Sequence, residues 1–229
     1  MKKIFTLSIV IVFLLNGVKA QYQVLGPGTT VSKKSLYLGL HPYIQIFNGD
    51  NTEEHSIMGS NLMGGYGFKY GIEANLRVGI LYDSYKNQPD TYNAKSYNAG
   101  VLIKKHAFSS GKRYDSGFDL ALGGGVHSLH GRVGFDAVID ISLRNASKSF
   151  FIYTGFDFDM NEELKYIDKQ RTEKYFEMCY WVPIGFEIKP NYKWGVIIEG
   201  DIPLTSTSHY TAGIGLRRYF INKEKGLGK

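Results

Sequence analysis

The chain has 229 residues, of which 27 are Gly, 17 Tyr, 14 Phe and 2 Trp, and its mean hydropathy is −0.20. Hydrophobic residues make up 43% and charged residues 21%, which excludes a disordered chain, a helical membrane protein, a coiled coil and a collagen. Abundant Gly and aromatic residues favour β structure, because Gly destabilises helices and aromatic side chains suit a pleated surface.

Residues 1–20 have the pattern of a secretory signal peptide. Lys2 and Lys3 precede an apolar run at 4–15, and the small residues Val18 and Ala20 provide a predicted cleavage site after Ala20. The run is too short for a spanning helix, which needs roughly 20 apolar residues. Removal of this segment takes away three Lys and lowers the formal net charge from +6 to +3, so the basic balance gives no reason to expect a nucleic-acid partner.

The remaining chain divides by composition into three parts. A polar lead at 21–34, expected in the periplasm, precedes a region of alternating apolar and polar residues at 35–220, and a polar tail occupies 221–229. A single cysteine, Cys179, excludes an internal disulfide and a multi-Cys metal site. The sequence predicts no cofactor and no metal ion.

The region 35–220 repeats one pattern. From Ile72 to Tyr82, apolar residues at even positions alternate with mostly polar residues at odd positions, and Leu81 is the apolar exception. Such long alternation predicts strands that exceed the usual length of about five or six residues. We predict ten strands, with eight as the alternative number, at about 35–47, 57–69, 72–83, 95–105, 117–127, 132–144, 149–160, 174–188, 194–204 and 208–220.

The predicted connections alternate in length. Tight ones at 69–71, 145–148 and 190–193 alternate with polar and mostly longer ones at 49–55, 84–94 and 161–171, whereas the connection at 106–116 is longer than this alternation predicts. In the tight connection at 69–71, Gly71 is expected to supply the positive φ of a three-residue hairpin. Consecutive hairpins between long strands predict an all-β, up-and-down antiparallel barrel.

Two placements of such a barrel fit the alternation. In a secreted soluble barrel that binds a small ligand, the apolar face points inward, whereas in a transmembrane barrel it contacts lipid and the polar face lines the lumen. Lys residues, including Lys104 and Lys105, fall in predicted loops or at strand ends, and the predicted strands have the roughly 9–11 residues needed to span a bilayer at a tilt. We therefore favour a transmembrane barrel.

The aromatic residues support the same placement. On the apolar faces, aliphatic residues occupy the strand middles and aromatic residues the strand ends, as expected for two girdles at the bilayer interfaces. The predicted girdle near the termini contains Phe68, Tyr70, Phe118, Phe150, Phe186, Trp194 and Phe220. The predicted girdle at the other end contains Tyr82, Tyr97, Phe135, Phe156, Phe158, Phe176 and Tyr210.

The last predicted strand, His209-Tyr-Thr-Ala-Gly-Ile-Gly-Leu-Arg-Arg-Tyr-Phe220, resembles the terminal strand of Gram-negative outer-membrane β-barrel proteins. Nearly all of the chain after the signal peptide is similar to the small outer-membrane β-barrel, or porin-like, family. The resemblance implies a place in the cell outer membrane, contact with outer-membrane lipid, and recognition by the barrel-assembly machinery through the strand that ends at Phe220. In this chain, residues 221–229 follow that Phe.

The predicted lumen face is acidic. Its acids by parity are Glu73, Asp83, Asp119, Asp136, Asp140, Asp157, Asp159, Glu177, Glu187, Glu199 and Asp201, and its only Arg residues are Arg77, Arg132, Arg144 and Arg217. One interpretation is a network of paired charges and Tyr hydroxyls that locks the barrel in a structural or interaction role, with inward Gly residues making room for Tyr and Arg. The other interpretation is a narrow, cation-preferring pore.

An outer-membrane hydrolase is a further alternative to this non-enzymatic role. Asp83, Asp157, Asp159 and His209 are predicted near the rim opposite the termini, and carboxylates beside a His can activate water. His127 and His130 lie near a predicted hairpin, and we interpret them as polar loop residues because two His without a third ligand seldom form a metal site.

Overall fold

The computed structural model describes residues 34–48, 53–87, 90–110, 116–129, 132–145, 147, 149–168, 171–191, 193–205 and 209–220. The predicted signal peptide, nearly all of the predicted lead and the predicted tail lie outside the described residues, and so does His130. No helix formed by the described residues is long and apolar enough to cross a bilayer.

Ten antiparallel strands form one closed barrel. They are β1 (Leu36–Asn48), β2 (Glu53–Gly67), β3 (Ile72–Asn87), β4 (Asp90–Ser109), β5 (Gly117–Leu129), β6 (Arg132–Arg144), β7 (Phe150–Asp168), β8 (Arg171–Asn191), β9 (Trp194–Pro203) and β10 (Tyr210–Phe220). Each strand pairs with its neighbours in the chain, and β1 closes the barrel on β10. The prediction of an up-and-down barrel of ten strands is confirmed, and the alternative of eight is wrong.

The two ends of the barrel differ. We call the end where β1 begins at Leu36 and β10 ends at Phe220 the terminal end, and the opposite end the distal end. At the terminal end, the predicted hairpin at 69–71 is a single 3-10 turn in which the Phe68 N–H donates to the Ile72 carbonyl at 2.7 Å. Gly71 has the expected positive φ of 67°, and Tyr70 also has a positive φ, of 62°.

Several strands are longer than the sequence predicted. β3 and β4 continue their ladder to the pair Asn87 and Asp90, and β7 and β8 continue to Asp168 and Arg171. The expected long distal loops at 84–94 and 161–171 are therefore mostly strand. Backbone pairing continues where the apolar alternation stops, because residues beyond the bilayer need no apolar face.

The β7–β8 hairpin extends beyond its neighbours. β6 pairs with β7 only as far as Asn161, and the ladder between β8 and β9 begins at Trp181. Residues 162–168 and 171–176 consequently pair with each other, and 177–180 pair with 158–161 at their base. We call the segment formed by 162–168 and 171–180 the β7–β8 ribbon. At the terminal end, β4 similarly continues to Ser109 through a bulge between His106 and Phe108, which shortens the predicted connection at 106–116.

The two faces of the wall have opposite character. Along β6, outward Ile139 is 43% exposed whereas inward Val138 is 3% exposed, and the same alternation holds along the strand. All predicted girdle aromatics face outward or are half-buried on that face. Leu81 faces inward and is fully buried with Ile57 and Leu129. An apolar exterior around a polar interior is wrong for a soluble barrel, so that alternative is excluded.

Candidate functional site: the barrel lumen

The lumen carries more carboxylates than cations. The buried acids are Glu73, Asp83, Asp119, Asp136, Asp140, Asp157, Asp159, Glu187, Glu199 and Asp201, and the buried basic side chains are Arg77, Lys104, Arg144 and Arg217. Two residues expected here, Arg132 and Glu177, are only half-buried. All other members of the predicted lumen network are buried inside the barrel.

Lys104 is the lumen cation that the sequence analysis missed. It was placed at a strand end, but β4 continues past it, and its Nζ lies 2.6 Å from Oδ2 of Asp140 on β6. Gly123 on the intervening strand β5 makes this contact possible, because a Cβ there would lie 2.9 Å from Cγ of Lys104. Parity along the strand could have predicted this inward position, since Lys104 lies on the same face as buried Leu102.

Three other lumen contacts cross a glycine in the same manner. The ring of Tyr153 on β7 lies over Gly185 on β8, and its hydroxyl donates to Oε2 of Glu199 on β9 at 2.6 Å. A Cβ at Gly185 would lie 2.3 Å from that ring, so any side chain there would force the ring to shift. Glycine on the middle strand thus lets a large side chain reach a partner two strands away.

The same arrangement recurs near both ends of the barrel. At the terminal end, Tyr37 on β1 lies over Gly65 on β2, and its hydroxyl donates to Oδ1 of Asn75 on β3 at 2.5 Å. At the distal end, His127 on β5 lies over Gly134 on β6 and contacts Asn161 on β7. We call the three triplets glycine-crossing contacts: Tyr37–Gly65–Asn75, His127–Gly134–Asn161 and Tyr153–Gly185–Glu199.

His127 is therefore a lumen residue, and its interpretation as a loop residue is wrong. It lies inside β5, where its Nδ1 is 2.9 Å from Oδ1 of Asp136 and its Nε2 is 2.6 Å from Oδ1 of Asn161. The two ring nitrogens thus contact a carboxylate on β6 and a side-chain amide on β7. This contact joins β5, β6 and β7 at the distal end.

A buried aromatic cluster spans the lumen at the terminal end. Its members are Tyr37, Met63, Tyr153, Ile197 and Tyr219. Met63 on β2 and Tyr153 on β7 are five strand positions apart in either direction around the barrel, so the cluster reaches across the full width. The cluster therefore places aromatic and aliphatic side chains across the lumen at this height.

Charged groups surround that cluster. The guanidinium of Arg217 lies 4.5 Å from the ring centre of Tyr37, and the Tyr219 hydroxyl donates to Oε1 of Glu187. Lys189 lies between the rings of Phe151 and Tyr219, at 4.5 and 4.6 Å, and 3.3 Å from the same Glu187 carboxylate. Cations and hydroxyls thus hold the carboxylates at the terminal end of the lumen in fixed contacts.

Arg144 and Asp119 form a second paired group at this end. Nη1 of Arg144 donates to Oδ2 of Asp119 at 2.8 Å, and the Ser109 hydroxyl donates to the other oxygen at 2.5 Å. The Arg144 guanidinium also reaches the Ser110 carbonyl at 3.1 Å. This pair ties β5 and β6 to the end of β4.

Asp157 has a different environment from the paired acids. It is 2% exposed, and within the described part of the chain neither of its carboxylate oxygens has a hydrogen-bond partner. The charges that act on it most strongly are those of Asp140 and Asp201, followed by Lys104 and Asp136. Around Asp157, carboxylates therefore outnumber basic side chains.

The four predicted rim residues are all buried in the barrel. Asp83, Asp157, Asp159 and His209 are each at most 5% exposed, and the His209 carbonyl accepts a hydrogen bond from Nε1 of Trp181 at 3.0 Å. Asp157 faces the central acids described above. No group of three or more His, Cys, Asp or Glu side chains in the described ranges is arranged to hold a metal ion.

Comparisons with known proteins identify the fold. No protein-family model matches the chain, and no curated protein matches it. An outer membrane channel from Pseudomonas putida F1 matches 86% of this chain and 100% of its own, with 5% identity and a TM-score of 0.51. The transport unit of the autotransporter AIDA-I from Escherichia coli matches 86% of this chain and 93% of its own, with 11% identity and a TM-score of 0.48.

The first of these likenesses shows a shared fold, and the geometry agrees with it. The barrel is closed, has ten long strands, and has an apolar exterior with aromatic girdles. This exterior suits contact with lipid and not with water. Barrels of this kind span bacterial outer membranes. The chain is a ten-stranded transmembrane β-barrel of the outer-membrane type.

Proposed function

We propose that this protein is an outer-membrane barrel whose lumen is closed by its own side chains, and that it has a structural or interaction role. The observation that carries the proposal is the aromatic cluster that spans the terminal end of the lumen, from Met63 on β2 to Tyr153 on β7. Tyr219 and Glu187 extend it to β10 and β8. We expect this layer to block the passage of ions unless the rings move.

The β7–β8 ribbon is the element through which such a barrel meets partners. It is paired mainly with itself, so its outer edges carry backbone groups that adjacent strands do not cover. Exposed Tyr175 and Phe176 lie on it. At the opposite end, the ring of Phe220 faces outward at the end of β10, which supports recognition of this strand by the assembly machinery.

A narrow cation pathway is the second candidate, and the excess of lumen carboxylates favours it. Asp157 faces Asp140 and Asp201 near the middle of the barrel, and such a cluster attracts cations and repels anions. This pathway would need the terminal layer to open.

Conductance in planar bilayers separates the two candidates. We expect no conductance steps from the folded wild-type barrel. The triple variant Tyr37→Ala, Tyr153→Ala, Tyr219→Ala should conduct cations, because it removes the aromatic layer. A matched triple variant on the outward face, Tyr82→Ala, Tyr97→Ala, Tyr210→Ala, should remain closed. Wild-type steps that shrink on Glu199→Gln would refute the closed barrel and support the cation pathway.

A further inference from the structure

The lipid-facing wall of the barrel carries very few charges. Among the described side chains of the strands, the outward-facing charged residues are Lys95, Lys105, Glu162, Lys174 and Arg218. Glu162 and Lys174 pair with each other on the β7–β8 ribbon. Lys95, Lys105 and Arg218 lie at the two girdles, so three cations without an outward-facing acid remain next to the bilayer.

Arg218 has the most defined geometry of the three. Its guanidinium lies 5.4 Å from the ring centre of Trp194, the residue opposite it on β9, and 5.2 Å from the ring centre of Phe220. Of all the carboxylates that the structure describes, none pairs with it. An Arg held between two interfacial aromatic rings keeps its planar donors free for a bidentate acceptor.

The terminal end as a whole is basic on its outside. Its exposed charged residues in the described ranges are Lys34, Lys69, Lys105, Lys193 and Arg218. The described acids near this end, Glu73, Asp119 and Glu187, are buried in the lumen, where Asp119 is bonded to Arg144 and Glu187 to Tyr219. The exposed charged side chains of the described residues at this end are therefore all positive.

We propose that this terminal rim binds the phosphates of anionic phospholipids, with Arg218 as the principal contact. The aromatic girdle places the rim at the level of lipid headgroups, and the planar guanidinium matches a phosphate diester. Lys105, whose Nζ donates to the Tyr70 carbonyl, is a second contact fixed to the 3-10 turn. The proposal depends on the barrel spanning a membrane and is independent of whether its lumen conducts.

The test is lipid retention measured by native mass spectrometry. The folded barrel is exchanged from micelles that contain equal amounts of phosphatidylglycerol and phosphatidylcholine. A surface cation contributes about 1 kcal/mol to binding an anionic membrane, which corresponds to a preference of roughly fivefold. We expect the wild type to retain phosphatidylglycerol preferentially, Arg218→Gln to lose about that factor, and Arg218→Lys to keep part of it.

Lys174→Gln provides the matched control, because it removes one exposed cation away from the terminal rim. It should retain lipid as the wild type does. Heat-dependent gel mobility verifies that each variant is folded, and Arg218→Lys gives a readout if Arg218→Gln does not fold. Equal retention of both lipids, equal loss in Lys174→Gln, or complete displacement of the lipid by inorganic phosphate would each overturn the proposal.

Discussion

The hydroxyl of Tyr153 on β7 donates a hydrogen bond of 2.6 Å to Glu199 on β9, across Gly185 on the strand between them. Because the contact joins β7 to β9 over β8, it resists changes in the curvature of the barrel wall. It also resists separation of β8 from either neighbour. The excess of Gly in the sequence has its explanation here, since the lumen accommodates long side chains only where the adjacent strand lacks one.

Removal of that hydroxyl should destabilise the barrel. We expect Tyr153→Phe to lower the free energy of unfolding by about 1.5–3 kcal/mol, because Glu199 loses a hydrogen bond in a buried site. Urea unfolding from lipid vesicles measures the change. Tyr210→Phe, on the outward face, is the control and should have little effect; a similar loss in both variants would assign the effect to general loss of a hydroxyl.

Adding a side chain at Gly185 should also lower the free energy of unfolding, because it overpacks the space that the Tyr153 ring occupies. Gly185→Ala places a Cβ 2.3 Å from the Tyr153 ring, and overpacking of this kind costs about 1–3 kcal/mol. Gly124→Ala is the matched control on the outward face, where the nearest atom is a carbonyl oxygen at 3.5 Å. Equal unfolding midpoints for the two variants would contradict the proposed role of glycine.

The sequence predicted the wall of the barrel better than its interior. Alternation assigns Asp136 and Asp140 on β6 to the lumen face, where both are buried, because period-2 parity requires only local sequence. It did not predict that Tyr153 reaches Glu199, because that contact depends on the register of three strands. The register between strands depends on the whole closed sheet, so it cannot be predicted from the sequence of a single strand.

The interior charges show the same limit. Lys104 was placed outside the lumen because the predicted strand ended near it, and the partner Asp140 lies 36 residues later in the chain. His127 was assigned to a loop although it has the parity of buried residues in β5. The outer part of the β7–β8 ribbon, at 162–168 and Arg171, falls in a predicted loop because residues beyond the bilayer need no apolar alternation.

Breaking the Lys104–Asp140 pair should be costly. We expect Lys104→Met to destabilise the barrel by about 3–5 kcal/mol, because it leaves a buried carboxylate without its cation. The double variant Lys104→Met, Asp140→Leu should recover much of the loss, as measured by urea unfolding. Additive effects of the two changes would show that the residues do not act as a pair.

Neutralising Asp157 should raise the free energy of unfolding, whereas breaking the Lys104–Asp140 pair should lower it. Its carboxylate has no hydrogen-bond partner among the described residues and faces other acids, so Asp157→Asn should stabilise the barrel by about 1 kcal/mol or more. Asp119→Asn is the comparison, since Asp119 accepts hydrogen bonds from Arg144 and Ser109, and it should destabilise. Destabilisation by both changes would contradict the assignment of excess charge to the centre of the lumen.

The architecture has one direct test, which is the gel mobility of the protein from the outer-membrane fraction before and after boiling. A barrel closed by ten antiparallel ladders resists detergent without heat, so the unheated protein should migrate as a compact species and the boiled protein as an unfolded one. A protein that appears in the soluble periplasmic fraction, with the same mobility before and after boiling, would contradict the transmembrane barrel.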